Sequence, residues 1–127
     1  MNLQDAIDRE YLVKIISDPL LIQKELEESK YDFQSAKNAI QEKDYKWVII
    51  KCYYSMFHSG KALCFQQGYR EKKHIAILLM LQELQKKGKI EKECVYYSKL
   101  RRMSHMNHRS LLIRSLRQMC YKPRSYL

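Results

Sequence analysis

An all-helical domain is the fold class this sequence predicts, and three observations carry it. Only three Gly and two Pro interrupt 127 residues, in a chain rich in Lys, Glu, Gln and Leu, which favour helix over short strands joined by turns. An apolar content of 46% is enough to bury a core in one domain of this length. Stop signals at Asp18-Pro19, Gly68, Gly88 and Pro123, together with a helix cap at Asp44, then divide the chain into five helical segments.

The first segment, about residues 3–17, ends before Asp18-Pro19 because a residue preceding proline is pushed away from helical angles. The second runs from about 20 to 42. On it Leu26, Tyr31, Phe33, Ala36 and Ile40 fall near one stripe, while Glu25, Glu27, Glu28 and Lys30 are expected to face water. The third, about 45–67, takes Asp44 as its cap and closes at Gly68. It is apolar on nearly every side, through Trp47, Val48, Ile49, Ile50, Tyr53, Tyr54, Met56, Phe57, Leu63 and Phe65. Such a helix belongs at the centre of a bundle or in a subunit interface. Ser55, Ser59, Gly60 and Ala62 would let a neighbouring backbone come close. The fourth, about 73–87, stops at Gly88, and the fifth continues from about 90 into a basic tail. The whole chain reads as a single domain, with an atypical basic segment from about residue 106.

Cys52, Cys64, Cys94 and Cys120 are scattered without a Cys-x-x-Cys pair, and there is no secretory leader, so the expectation is a cytoplasmic protein with reduced thiols. No metal or cofactor is expected. The longest apolar stretch, 47–65, contains Lys51, His58 and Lys61, which argues against a membrane span.

Charge is distributed unevenly. Every acidic residue lies at or before Glu93, so residues 94–127 hold eight Lys/Arg and no Asp/Glu, whereas the preceding residues hold 16 basic and 14 acidic side chains. A polyanion is the natural partner of a one-signed surface. The same tail holds the cluster Arg101-Arg102-Met103-Ser104-His105-Met106-Asn107-His108-Arg109.

The run Cys52-Tyr53-Tyr54-Ser55-Met56-Phe57-His58-Ser59-Gly60-Lys61-Ala62-Leu63, followed by Gly68-Tyr69-Arg70-Glu71-Lys72-Lys73-His74, resembles the signature of small prokaryotic HEPN-domain proteins. Asp32-Phe33 with Ala36, and Lys43-Asp44-Tyr45, match the segment leading into it, so the resemblance covers about residues 26–102. It implies a bundle of four antiparallel, up-down helices with a shorter fifth, paired as a homodimer. It also implies a toxin-antitoxin-like setting with a minimal nucleotidyltransferase as partner. The toxin members of the wider superfamily that such a resemblance points to are metal-independent endoribonucleases marked by an Arg and a His with roughly four to six residues between them. Two pairings fit here: Arg102 with His108, five residues between, and Arg101 with His108, six between. Arg101 with His105 has three between and does not fit. The chain departs from its apparent relatives at Ser104-His105-Met106, where they carry Ala-Asp-Tyr and then an acidic final helix. Ser110 stands where toxins silenced by nucleotide addition carry a Tyr.

Metal-free RNA cleavage needs a base for the 2′-hydroxyl, an acid for the 5′-oxygen and a fixed cation for charge growing on phosphorus. Histidine, with an unperturbed pKa of about 6.5, fills the first two roles, and the guanidinium fork fills the third. On a regular helix Arg101, His105 and His108 share a face, whereas Arg102 points away unless the helix breaks or a second protomer contributes. The candidate catalytic residues are therefore Arg101, Arg102, His105 and His108, with Lys99, Arg109 and Arg114 as candidate RNA-binding cations.

A second reading stands beside this one. The arginines alone would make a solvated cationic face or satisfy helix-end carbonyls. The chain would then be a catalytically silent helical module that binds RNA, nucleotide or a nucleotidyltransferase partner through its basic end. His58 and His74, inside the matched block, read as packing and capping residues.

Overall fold

The computed structural model describes residues 1–90. Along them run α1 (Leu3–Asp8), β1 (Leu12–Lys14), α2 (Pro19–Gln41), α3 (Tyr45–Gln66), β2 (Tyr69–Glu71) and α4 (His74–Lys86). The predicted fifth helix, from about residue 90, lies outside the described residues.

The long helices α2 and α3 form an antiparallel hairpin and make the most extensive contact in the described fold. Asp18 starts α2 by accepting a hydrogen bond from the Leu20 N–H at 2.9 Å, with Pro19 in the first turn, where its missing N–H costs nothing. The hairpin turns through Lys43, at φ 59°, with the Asp44 N–H donating to the Ala39 carbonyl at 2.9 Å. Near this turn Ala36 and Ala39 of α2 pack on Val48 and Cys52 of α3. Asp44 occupies the N-cap position of α3 as predicted, but its side chain makes no capping hydrogen bond.

At the other end of the hairpin a second core forms between α1, β1, α4 and the end of α3, built on Ala6, Leu12, Cys64, Met80, Leu84 and Ile90. Here α3 and α4 come very close. A Cβ placed on Gly60 would sit 2.5 Å from the Ile77 side chain, so the absence of one is a packing requirement. In α3, placed centrally as its apolar character predicts, the helix touches α2, α4 and β2. Trp47, Ile49 and Tyr54 nevertheless remain exposed on it.

The first predicted helix needs correction. It ends at Asp8, after a capping box between Asn2 and Asp5, and Glu10 then adopts φ 60° to turn the chain. Leu12–Lys14 pairs antiparallel with Tyr69–Glu71, with Leu12 opposite Glu71 and Lys14 opposite Tyr69. The physical reason is the run Leu12-Val13-Lys14-Ile15-Ile16, whose β-branched residues favour a strand once a partner is present. That partner lies more than fifty residues away, beyond the reach of periodicity. Gly68, at φ 81°, makes the bend that delivers it from α3.

Candidate functional site

Between the two apolar cores the α2–α3 interface is polar. Its small side chains set the helix spacing. The Ser29 hydroxyl donates to the Ser55 carbonyl at 2.8 Å, and the Ser55 hydroxyl donates to the Ser29 carbonyl at 2.9 Å. Ser59 lies 2.6 Å from the Ser29 oxygen and donates to it, since the Ser29 proton is already used. Each hydroxyl therefore replaces a lost water with a helix-to-helix bond.

Next to this seam lies a row of alternating charge: Asp32 and Glu25 from α2, His58 and Lys61 from α3, and Glu71 from β2. Glu25 is the junction. One of its oxygens is 2.5 Å from His58 Nδ1 and the other 3.7 Å from Lys61 Nζ. An ionised carboxylate only accepts, so the His58 Nδ1–H is the donor. On the far side of the ring, Nε2 stands 3.6 Å from Asp32, within ion-pair range but too long for a hydrogen bond. Glu25 was expected to face water. It is buried because α3 presents two basic side chains one turn apart opposite it, which the periodicity of α2 alone does not show.

Lys61 continues the row toward the sheet. Its Nζ is 3.5 Å from Glu71 Oε1 and lies 5.9 and 5.8 Å from the ring centres of Phe57 and Phe65. Those rings hold the ammonium through their π faces. The second oxygen of Glu71 is buried and has no hydrogen-bond partner. The surroundings alter two neighbours. Burial raises the Asp32 carboxyl above its ordinary value; His58 partly offsets this, Glu28 adds to it and Lys51 lowers it. Burial, helped by Glu71, pushes the Cys64 thiol up to about 12, and burial alone does the same for Cys52. Both therefore stay protonated and unreactive near neutral pH.

His74 opens α4. Its Nδ1 is 3.1 Å from the Tyr53 hydroxyl and its ring leans on Phe57 at 4.6 Å between centres. Both histidines in the described residues join elements, His58 as an ionic link between α3 and α2 and His74 by its contacts with Tyr53 and Phe57 of α3. Among the described residues no group of three His, Cys, Asp or Glu is arranged to hold a metal ion, and no helix is long and apolar enough to cross a membrane.

The residues singled out for chemistry, Lys99, Arg101, Arg102, His105, His108, Arg109 and Arg114, lie outside the described residues. What the structure adds is the framework that precedes them and the ionic row, a feature that sequence reasoning missed. The signal available for it was the i, i+3 spacing of His58 and Lys61 on an otherwise apolar helix.

A family model described as HEPN domain matches residues 22–110, which spans α2, α3, α4 and the Arg101–Arg109 cluster. No curated protein and no solved structure matches the chain.

Proposed function

We propose, from the premise that this chain belongs to the HEPN domain family, that it is an RNA- or nucleotide-binding helical module of a toxin-antitoxin-like system, working with a nucleotidyltransferase partner and as a homodimer. The observation that carries this reading is the one-signed stretch of eight Lys/Arg without Asp/Glu in residues 94–127, part of which falls inside the family match. Such a charge pattern favours a phosphate backbone, to which Lys99, Arg101, Arg102, Arg109 and Arg114 would contribute contacts that fix position rather than sequence. Cytoplasmic action with no metal or cofactor belongs to the same proposal.

A second reading is favoured by a separate observation, the spacing of Arg101 and Arg102 to His108. In it the protein is a metal-independent endoribonuclease. His108 or His105 moves the proton between the 2′-hydroxyl and the leaving 5′-oxygen, and an arginine neutralises the phosphorane charge.

Incubating the purified full chain with RNA in the presence of a chelator separates the two. Intact RNA with binding that weakens as salt rises supports the module. Cleavage that disappears in His108→Ala and in Arg102→Ala or Arg101→Ala supports the nuclease. Absence of both binding and cleavage overturns the proposal.

A further inference from the structure

Next to its turn, the α2–α3 hairpin leaves a groove of about 420 Å³ between its helices. That volume falls in the range of small-molecule sites, roughly 300–1,000 Å³. One wall is Ser35, Asn38 and Glu42 at helical spacing along α2, and the other is Asp44, Trp47 and Lys51 at the start of α3. Ala39, the buried member of the lining, is too small to fill the space between them. Trp47 is the single tryptophan of the chain and is 48% exposed, so a large part of its indole is open to a planar ring.

The polar groups around that indole are of mixed kind. Asp44 makes no capping bond to α3 and keeps its carboxylate for another donor. Asn38 accepts through Oδ1 from Gln34 at 3.1 Å, which leaves its NH2 to donate, and the Ser35 hydroxyl can do either. An ion of either sign is poorly matched: Glu42 and Asp44 repel an anion, while Lys51, with Lys43 and Lys46 adjacent in sequence to the lining, repels a cation. A neutral planar group with donors and acceptors along its edge meets neither objection.

We propose that this groove holds one nucleobase, of single-stranded RNA or of a free nucleotide, stacked on Trp47 with Glu42 or Asp44 accepting from its amino group. Stacking on an aromatic side chain is the usual way an unpaired base is held. Ionised carboxylates accept and never donate, so guanine, cytosine and adenine, which carry amino groups, are preferred to uracil, whose edge is mostly carbonyl. The inference rests on the RNA- or nucleotide-binding reading and adds to it a base contact within the described hairpin, distinct from the phosphate contacts assigned to later residues.

The test titrates the full chain with guanosine, cytidine and uridine, and separately with free arginine and inorganic phosphate, while the fluorescence of the single Trp is followed. Saturable quenching by guanosine or cytidine, stronger than by uridine, is the expected result. In equilibrium dialysis with labelled guanosine, Trp47→Ala should weaken binding about fivefold or more, and Trp47→Phe, which keeps a ring, should weaken it less. Glu42→Gln combined with Asp44→Asn should narrow the preference over uridine. Absence of saturable quenching by any nucleoside overturns the proposal, and quenching by arginine or phosphate alone also overturns it by assigning the groove to an ion. Anisotropy of a labelled single-stranded RNA separates this outcome from the broader reading. Equal RNA affinity in the parent and Trp47→Ala, without nucleoside quenching, rejects the base site and leaves RNA binding standing. Nucleoside quenching in a chain that binds no RNA supports the base site as a nucleotide site and removes the RNA half of that reading.

Discussion

His58 on α3 and Glu25 on α2 are joined by a 2.5 Å hydrogen bond that ties these two long helices together. Because Glu25 also faces Lys61 at 3.7 Å, its removal would leave two basic side chains, each only about one-fifth exposed, without this acceptor. A hydrogen bond to a charged, mostly buried group contributes about 2 kcal/mol. Glu25→Ala is therefore expected to lower the urea unfolding free energy by about that much. Glu27→Ala, exposed on the same helix, should stay within about 0.5 kcal/mol. Equal effects would show that the link contributes nothing.

Asp32 predicts a pH dependence of opposite sign to that of a carboxylate whose value an ion pair lowers. Its folded value lies above 3.8, chiefly because burial penalises the charged form. The folded state thus holds its proton more tightly than the unfolded state does, and stability falls as pH rises through the interval above 3.8. Asp32→Asn removes that penalty. The variant should match the parent at pH values below the ordinary carboxylate range and become the more stable of the two toward neutrality, as measured by urea midpoints across pH. A variant less stable than the parent at neutral pH would mean that attraction to His58 outweighs desolvation.

The contrast between Leu26 and Glu25 shows how far the sequence could be read. The helices α2, α3 and α4 were legible to within a residue or two, because Asp18-Pro19, Gly68 and Gly88 punctuate them and each is long enough to show its period. Glu25 was assigned to solvent since burial of a charge depends on what stands opposite, and His58 is 33 residues away in sequence. The β1–β2 pair failed for the same reason. Each strand is three residues long, and only β1 carries a local signature, its β-branched residues. By contrast, Ser55 and Gly60 were legible, because small side chains on a helix surrounded by large apolar ones imply close contact. The arginine and histidine cluster was located by spacing alone, which names residues but cannot place them.

Gly60 offers a direct test of that close contact. A methyl group there would meet Ile77 at 2.5 Å, and the atom it meets is a branch methyl on a stiff side chain rather than a free end. Alanine gains about 1 kcal/mol over glycine in a helix interior, yet overpacking costs about 1–3 kcal/mol, so Gly60→Ala should be neutral to destabilising instead of stabilising. Ile77→Leu moves the branch away from the backbone. The double variant Gly60→Ala/Ile77→Leu is then expected to be more stable than the sum of the single effects in denaturant unfolding. A stabilising Gly60→Ala on its own would mean that α3 and α4 are further apart than described.

Salt sensitivity provides the most quantitative check on the basic segment. For single-stranded nucleic acid, each neutralised phosphate contributes about 0.7 to the negative slope of log K against log salt. Eight Lys/Arg in residues 94–127 therefore set an upper limit near 6 if that segment alone supplies the contacts. Replacing Lys99, Arg109 or Arg114 by Gln should reduce the slope by about 0.7 each and weaken binding to unrelated RNA sequences alike. Substituting Lys30 or Lys24, on the exposed side of α2, should leave the slope unchanged. If the α2 lysines alter the slope and the later residues do not, the phosphate contacts belong to the helical hairpin.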